Sequence, residues 1–569
     1  MHKPFLFLAV MFLSSTVIAQ QFPVKKYPRG YFIYPVGAPV GLVANFGELR
    51  PDHYHMGLDC RTEKKENMPV YAAAAGYIAK VKIEPFGFGR AIYINHPNGL
   101  TTLYAHLNNF FPELEAYVKQ QQYAHQSWSL FIDIPPSLFP VTQKQFIAYS
   151  GNTGGSQGPH VHFEIRDTKT DKVINPLLFG FPIQDNVPPV IARLAVYDRC
   201  YSTYDQTPRI ISVKKSEGVY TTVPGVINIS TERVSFGITA TDQLSGSANP
   251  NGIYEAFIYD NGKLLSGFQL DSISYTETRY LNANIDYKTK SSGGPYIQHL
   301  SRLPGYPESV YKDFSGDGVI ELEDSSVHSI NIVVKDAYGN SSEVKFMIKR
   351  VGTNQKRTVA AEGTLFHPGY VNIFENDVAR LVTGTATLYD SVVFTFSQKP
   401  AIKAESVSPV YALLNGNIPA HDSMSISIKA DSVAAEVADR VLMQWSWKNK
   451  TKIAKAKNEQ GWYKTKFRNF GNFQLVIDDK PPVINSSNLF ENSNLSRAAQ
   501  IVIYVRDNYE DIRNFRAELD GKWLRFTNDK EGAFIYKFDE MCPPGTHRLK
   551  ITAEDVAGNV STRTFNFTR

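Results

Sequence analysis

The chain has 569 residues, with 60 Lys and Arg against 55 Asp and Glu for a formal charge of +5, and three cysteines. So long a chain exceeds what one hydrophobic core supports, and several domains of roughly 100 to 200 residues are expected. Cys60, Cys200 and Cys542 are odd in number and far apart, which excludes a disulfide framework, and the charge is dispersed rather than gathered in a basic stripe, so no nucleic-acid partner is expected.

Met1-His2-Lys3-Pro4, the apolar run Phe5 to Leu13 and the small residues before Gln20 read as a secretory signal over 1–19, cleaved after Ala19. The apolar run is too short to span a bilayer comfortably, and no later run approaches the about 20 apolar residues of a membrane helix. The mature chain is therefore expected to be secreted or periplasmic, with no transmembrane segment after signal cleavage. No cysteine follows the cleavage site, which leaves lipid anchoring unsupported. Beyond it, short alternating runs such as Arg90–Asn95 and Ser329–Val334, separated by Gly, Asn, Asp and Pro, predict a mostly β protein.

A first domain is expected over 20–182. Two of its motifs carry chemistry: His55-Met56-Gly57-Leu58-Asp59, and His160-Val161-His162 within Gly158-Pro159-His160-Val161-His162-Phe163-Glu164. Histidines two apart on a strand share a face, close enough to serve one metal-centred site, where one could ligate and the other handle protons. His55 and Asp59 add an imidazole and a carboxylate, which makes three protein ligands and leaves the fourth zinc position for water. His53 competes with His55, since His53-Tyr54-His55 is also a His-x-His; the Gly57 and Asp59 register selects His55. Cys60 reads as a small buried residue, and His96 and His125 as surface residues. Glu164, two residues past His162, could hold an imidazole tautomer or be a buried structural carboxylate. Arg50 could bind a substrate carboxylate or form an internal ion pair. The irregular stretch from about Phe110 to Pro140 predicts a helix near Glu113–Gln126, favoured as a structural insertion over a groove wall of Tyr123, Trp128 and Phe131.

A self-similar pattern follows. Asp185-Asn186-Val187-Pro188-Pro189-Val190-Ile191 returns as Asp478-Asp479-Lys480-Pro481-Pro482-Val483-Ile484, and Asp336-Ala337-Tyr338-Gly339-Asn340 as Asp555-Val556-Ala557-Gly558-Asn559. These flanks resemble bacterial immunoglobulin-like modules and place β-sandwiches at 183–350 and 478–569, with a β-rich domain that lacks the signature turn at 351–477. The Asp313–Asp324 stretch fits the spacing of a calcium loop, with Asp where a bidentate Glu is usual; a Gly316-Asp317-Gly318 hairpin turn explains it as well.

The segments Phe46-Gly47-Glu48-Leu49-Arg50, His55-x-Gly57-x-Asp59, Pro69–Ala73, Asn98-Gly99-Leu100, Leu103-Tyr104-Ala105-His106-Leu107 and Ser150–Gly154 through Gly158–Glu164 stand in the order seen in lysostaphin/LytM-type zinc endopeptidases. The first domain resembles that family over roughly residues 40 to 180. The resemblance implies a LytM-type β-sheet peptidase domain in which His55, Asp59 and His162 bind Zn2+. It assigns His106 and His160 to orienting or deprotonating the water and stabilising the oxyanion, His106 on resemblance alone. The implied function is a zinc metalloendopeptidase acting on peptide cross-links or stem peptides of peptidoglycan. The trailing modules would position it at the wall, bind an envelope protein or occlude the groove. A non-catalytic wall-binding or regulatory protein is the alternative, and an adhesion protein with a structural zinc a third reading.

Overall fold

The computed structural model describes residues 25–307, 309–352, 363–401, 403–509, 512–528 and 532–569. The signal sequence expected over 1–19 lies outside the described residues. Short alternating runs broken by turn residues form strands with few helical turns, so the protein is mostly β. No helix among the described residues is long and apolar enough to cross a membrane.

In the N-terminal unit the strands Leu42–Ala44, Leu58–Arg61, His160–Asp167, Leu100–Ala105, Arg90–Asn95, Gly76–Ile83 and Leu130–Asp133 lie side by side in that order. Register positions the site: His162 is paired with Asp59 on one side and Ala105 on the other, while Val161 is paired with Cys60. Cross-strand partners share a face, so His160, His162 and Asp59 project together while Val161 and Cys60 enter the core. Cys60 is fully buried there, and all three cysteines are free.

The expected insertion helix spans Pro112–His125, opened by Pro112 and the acidic Glu113 and Glu115 in its first turn. Leu114, Val118 and Trp128 join the core of the unit. The helix also meets the end of the chain. Lys119 Nζ lies 2.8 Å from Asp539 and 2.7 Å from Glu540, Arg525 donates to Gln122 Oε1 at 2.8 Å, and the Tyr123 ring stands edge-on to Trp523 at 5.2 Å. Tyr123 and Trp128 thus serve packing and docking, and Phe131 lies exposed beneath Lys80 and Lys82.

Residues 190–350 carry one hydrogen-bonded sheet of 11 strands with one large core. That core reaches across the expected boundary at 182/183: Phe46, Tyr54, Met56 and Val173 belong to it. In return Ser272–Ile273 pairs with Val173–Ile174 and extends the first unit's sheet. The two units interlock rather than meet at a linker. From residue 363 two five-stranded sheets enclose a core that includes Met424, Met443, Trp445 and Phe473. From 483 a three-stranded and a five-stranded sheet enclose Ile501, Ile551 and Phe565.

In the Asp313–Asp324 stretch the strands Tyr311–Asp313 and Ile320–Glu321 pair with different partners, so Gly316-Asp317-Gly318 forms a bend and not the expected hairpin turn. Asp313 accepts from the Arg302 guanidinium, Asp317 from the Val319 N–H and Asp324 from the Ser326 N–H, so these carboxylates are engaged separately.

Candidate metal centre

His55 and His162 each have one ring nitrogen tied to an outer acceptor. His55 Nδ1 lies 2.7 Å from the Asn45 carbonyl oxygen, and His162 Nε2 lies 3.0 Å from Glu164 Oε1. A proton on each of those nitrogens makes the bond, and this tautomer leaves lone pairs on His55 Nε2 and His162 Nδ1. Those two atoms stand 3.1 Å apart, and Asp59 Oδ1 is 2.9 Å from the first and 3.0 Å from the second. Three converging acceptors repel unless positive charge sits among them. Ligand atoms on a zinc shell of about 2.1 Å stand roughly 3.4 Å apart, close to these spacings, and two imidazoles with one carboxylate suit that ion. Asp59 and Glu164, outweighing burial, push the His162 imidazole up to about 9. The cage therefore has a strong pull on positive charge.

What surrounds the cage orients it. Gly57 is required by close approach: a Cβ there would lie 2.5 Å from the Phe163 carbonyl oxygen and 2.9 Å from the His162 ring. Glu164 is fully buried; its Oε1 also accepts from the Tyr275 hydroxyl at 2.5 Å, and its Oε2 from Arg166 at 2.6 Å. Against the cost of burial, Arg166 and His162 hold the Glu164 carboxyl down at about 2, so it stays an anion that fixes the His162 tautomer. Of the two readings of Glu164, the geometry supports the one in which it holds an imidazole. Tyr275 comes from the second unit, and nothing in the sequence near the motifs points to it.

His160 donates from Nδ1 to the Gly158 carbonyl oxygen at 2.8 Å, and its Nε2 lies 3.3 Å from Asp59 Oδ1. His106 donates from Nδ1 to the Thr153 carbonyl oxygen at 2.8 Å, and its ring centroid is 4.8 Å from that of His160. It sits at φ 60°, a left-handed backbone that a residue with a Cβ adopts at a cost, where the chain leaves the strand Leu100–Ala105. All five expected site residues are thus brought together.

Arg50 lies 3.4 Å from Asp59 Oδ2 and 3.3 Å from Glu48, an internal ion-pair network. His53 is exposed and paired with Asp52, apart from the cage. His125 is exposed, but His96 is buried, contrary to the surface reading: its nitrogens bond the Ala75 carbonyl oxygen and the Thr102 hydroxyl. The Cys60 thiol is pushed up by burial on the other face of its strand and is no ligand of the cage.

Residues 53–127 match the model of peptidase family M23. The N-terminal unit is an M23 peptidase domain. The chain is 29% identical over 155 residues to the DD-carboxypeptidase/endopeptidase Mpg of Neisseria meningitidis serogroup B, covering 27% of this chain and 26% of that protein. It is 31% identical over 136 residues to an uncharacterized metalloprotease of Haemophilus influenzae, covering 24% and 22%. The chain thus spans about a quarter of the length of these relatives. Among solved structures, a zinc-containing peptidase from Vibrio cholerae is 23% identical, covers 26% of this chain and 39% of its own, and has a TM-score of 0.19. Behind the M23 domain, residues 363–478 match a Zu5-like domain.

Proposed function

We propose that the M23 domain is a secreted or periplasmic zinc metalloendopeptidase that hydrolyses peptide bonds in peptidoglycan cross-links or stem peptides. His55, Asp59 and His162 hold the metal, and His106 and His160 work beside it. The observation that carries this reading is the convergence of His55 Nε2, His162 Nδ1 and Asp59 Oδ1 within 3.1 Å of one another. Bound zinc supplies a Lewis acid and lowers the pKa of its water to roughly 7.

The chain's own groups then have distinct tasks. Glu164 and the Asn45 carbonyl lock the two ligating imidazoles. His160, with Nδ1–H tied back and Nε2 beside Asp59, can take a proton from a nucleophile and later return it to the leaving amine. His106 is held down at about 3 by burial and by its neighbours His160 and His162, so it stays neutral and can polarise the substrate carbonyl side of the site. The wall-peptide substrate rests on the motif resemblance together with a matched relative named as a DD-carboxypeptidase/endopeptidase, and the extracytoplasmic location on the signal-like residues 1–19.

The test is digestion of purified peptidoglycan by the zinc-loaded protein, with released muropeptides identified by mass spectrometry. Cleavage of a peptide bond is expected, and His162→Ala should remove zinc binding and digestion together. Digestion that survives in the variant, or a zinc-loaded parent that binds wall without cutting it, overturns the proposal in favour of a non-catalytic wall-binding protein.

A further inference from the structure

The chain builds the same three-aspartate cluster twice, at two joints between its units. Asp185, Asp242 and Asp336 bring carboxylate oxygens within 4.8 Å of one another, and so do Asp478, Asp507 and Asp555. The correspondence extends to register. Asp185 and Asp478 open the repeated Pro-Pro segments, and Asp336 and Asp555 open the repeated Asp-x-x-Gly-Asn turns. Asp242 follows Thr241, which pairs with Val190, and Asp507 follows Arg506, which pairs with Val483, the equivalent residue of the other repeat.

The turns are wired alike. Asn340 donates to the Asp185 carbonyl and to Asp336 Oδ2, and Asn559 donates to the Asp478 carbonyl and to Asp555 Oδ2. These bonds draw the first and last aspartates of each cluster together without neutralising any of them.

An independent observation points to a ligand. Asp242 is only 4% exposed and its Oδ1 has no hydrogen-bond partner; Asp478 is 2% exposed and its Oδ2 has none. Asn251, bridged to Asp242 through the backbone in both directions, is likewise buried, and its neutral side-chain oxygen is also unpartnered. Buried acceptors left without a donor cost about 1–3 kcal/mol each, more for charged groups. A buried carboxylate oxygen left without a donor in each of the two matching clusters is not an accident of packing. Burial, and then the charges of Asp336 and Asp185, raise the Asp242 carboxyl to about 7, and burial raises Asp336 and Asp478 as well.

We propose that each aspartate cluster binds a calcium ion and that the two ions clip the module joints. The donor set is oxygen alone, which selects a hard cation, and its irregular assembly from three separate segments suits calcium better than the strict octahedron of magnesium. The first cluster lies where Leu244, Ala337 and Tyr338 pack on the core of the M23 domain. The second lies where Ala557, Val556 and Tyr509 pack on Leu442 and Val476 of the Zu5-like domain. Calcium at either place ties the entering chain to two loops of the module it enters.

The test uses the full chain stripped of divalent ions and given back one equivalent of zinc. Calorimetric titration should show two calcium ions bound per chain, with magnesium weaker, and calcium should raise the unfolding midpoint by roughly 5 °C. Asp242→Asn with Asp336→Asn should remove one ion, and Asp478→Asn with Asp555→Asn the other. Each variant removes carboxylate repulsion but also one acceptor of the Asn340 or Asn559 amide, so the readouts are the ion count and the calcium-dependent rise in midpoint over that variant's own calcium-free value. Terbium offers a readout that leaves the carboxylates untouched: Tyr338 and Tyr509 adjoin the clusters through their N–H bonds to Asp336 and Asp507. Tyr338→Phe and Tyr509→Phe should each lower the tyrosine-sensitised emission. Absence of calcium uptake, or a stoichiometry unmoved by both double variants, overturns the proposal.

Discussion

Glu164 does not join the three converging acceptors, yet it decides which nitrogen of His162 faces them. Replacing it by Gln keeps the shape but removes the anion, and an amide that donates would favour the wrong tautomer. Glu164→Gln is expected to weaken zinc binding by ~10–100-fold, measured by competition with a zinc buffer, and Tyr275→Phe to weaken it less in the same direction. His106 gives a pH prediction. Burial and the His160 and His162 rings hold its folded pKa near 3, below the ordinary 6.5 of the unfolded chain. Between those values the unfolded state binds more protons, so this group lowers stability as pH falls through that window. His106→Asn should flatten that part of the stability profile in denaturant titrations run from pH 7 to pH 4. At this scale the sequence was informative where chemistry follows strand period. His160 and His162 are two apart, and Glu164 two further, so one face could be read directly. Tyr275 could not be read, since it reaches Glu164 from 111 positions away. His96 was misjudged because its partners, the Ala75 carbonyl and Thr102, are assembled only by folding.

The insertion helix Pro112–His125 shows what an element can do beyond filling space. Its acidic first turn and Pro112 made it legible, but its second task, holding the last module, lies in pairings with Asp539, Glu540, Arg525 and Trp523 that no local pattern announces. Lys119 is bracketed by two carboxylates, which raise its pKa despite partial burial. Lys119→Glu replaces attraction by repulsion at a contact where each exposed ion pair contributes at most about 1 kcal/mol. The expected outcome is a looser last module, seen as faster limited proteolysis around Asp539, with zinc content unchanged. The Asp-x-x-Gly-Asn turns were visible as repeats, and their physical reason emerges in the structure: each Asn reaches back to the carbonyl of the Asp that opens the Pro-Pro segment.

For the whole molecule, domain order was legible and domain independence was not. Phe46, Tyr54 and Met56 lie within or beside the family motifs in sequence, yet they pack in the core of the second unit. Strand alternation reports that a side chain is buried, not which core receives it. This interlock has a practical corollary for protein engineering. A minimal enzyme subcloned to end at residue 182 would lay bare a patch of Phe46, Tyr54 and Met56, lose the Thr278 hydroxyl that accepts from the Tyr54 N–H, and take Tyr275 from Glu164. Such a fragment is expected to aggregate on gel filtration and to hold zinc less tightly than one extended to residue 352. The catalytic unit of this protein is not a transplantable part; its neighbour is its chassis.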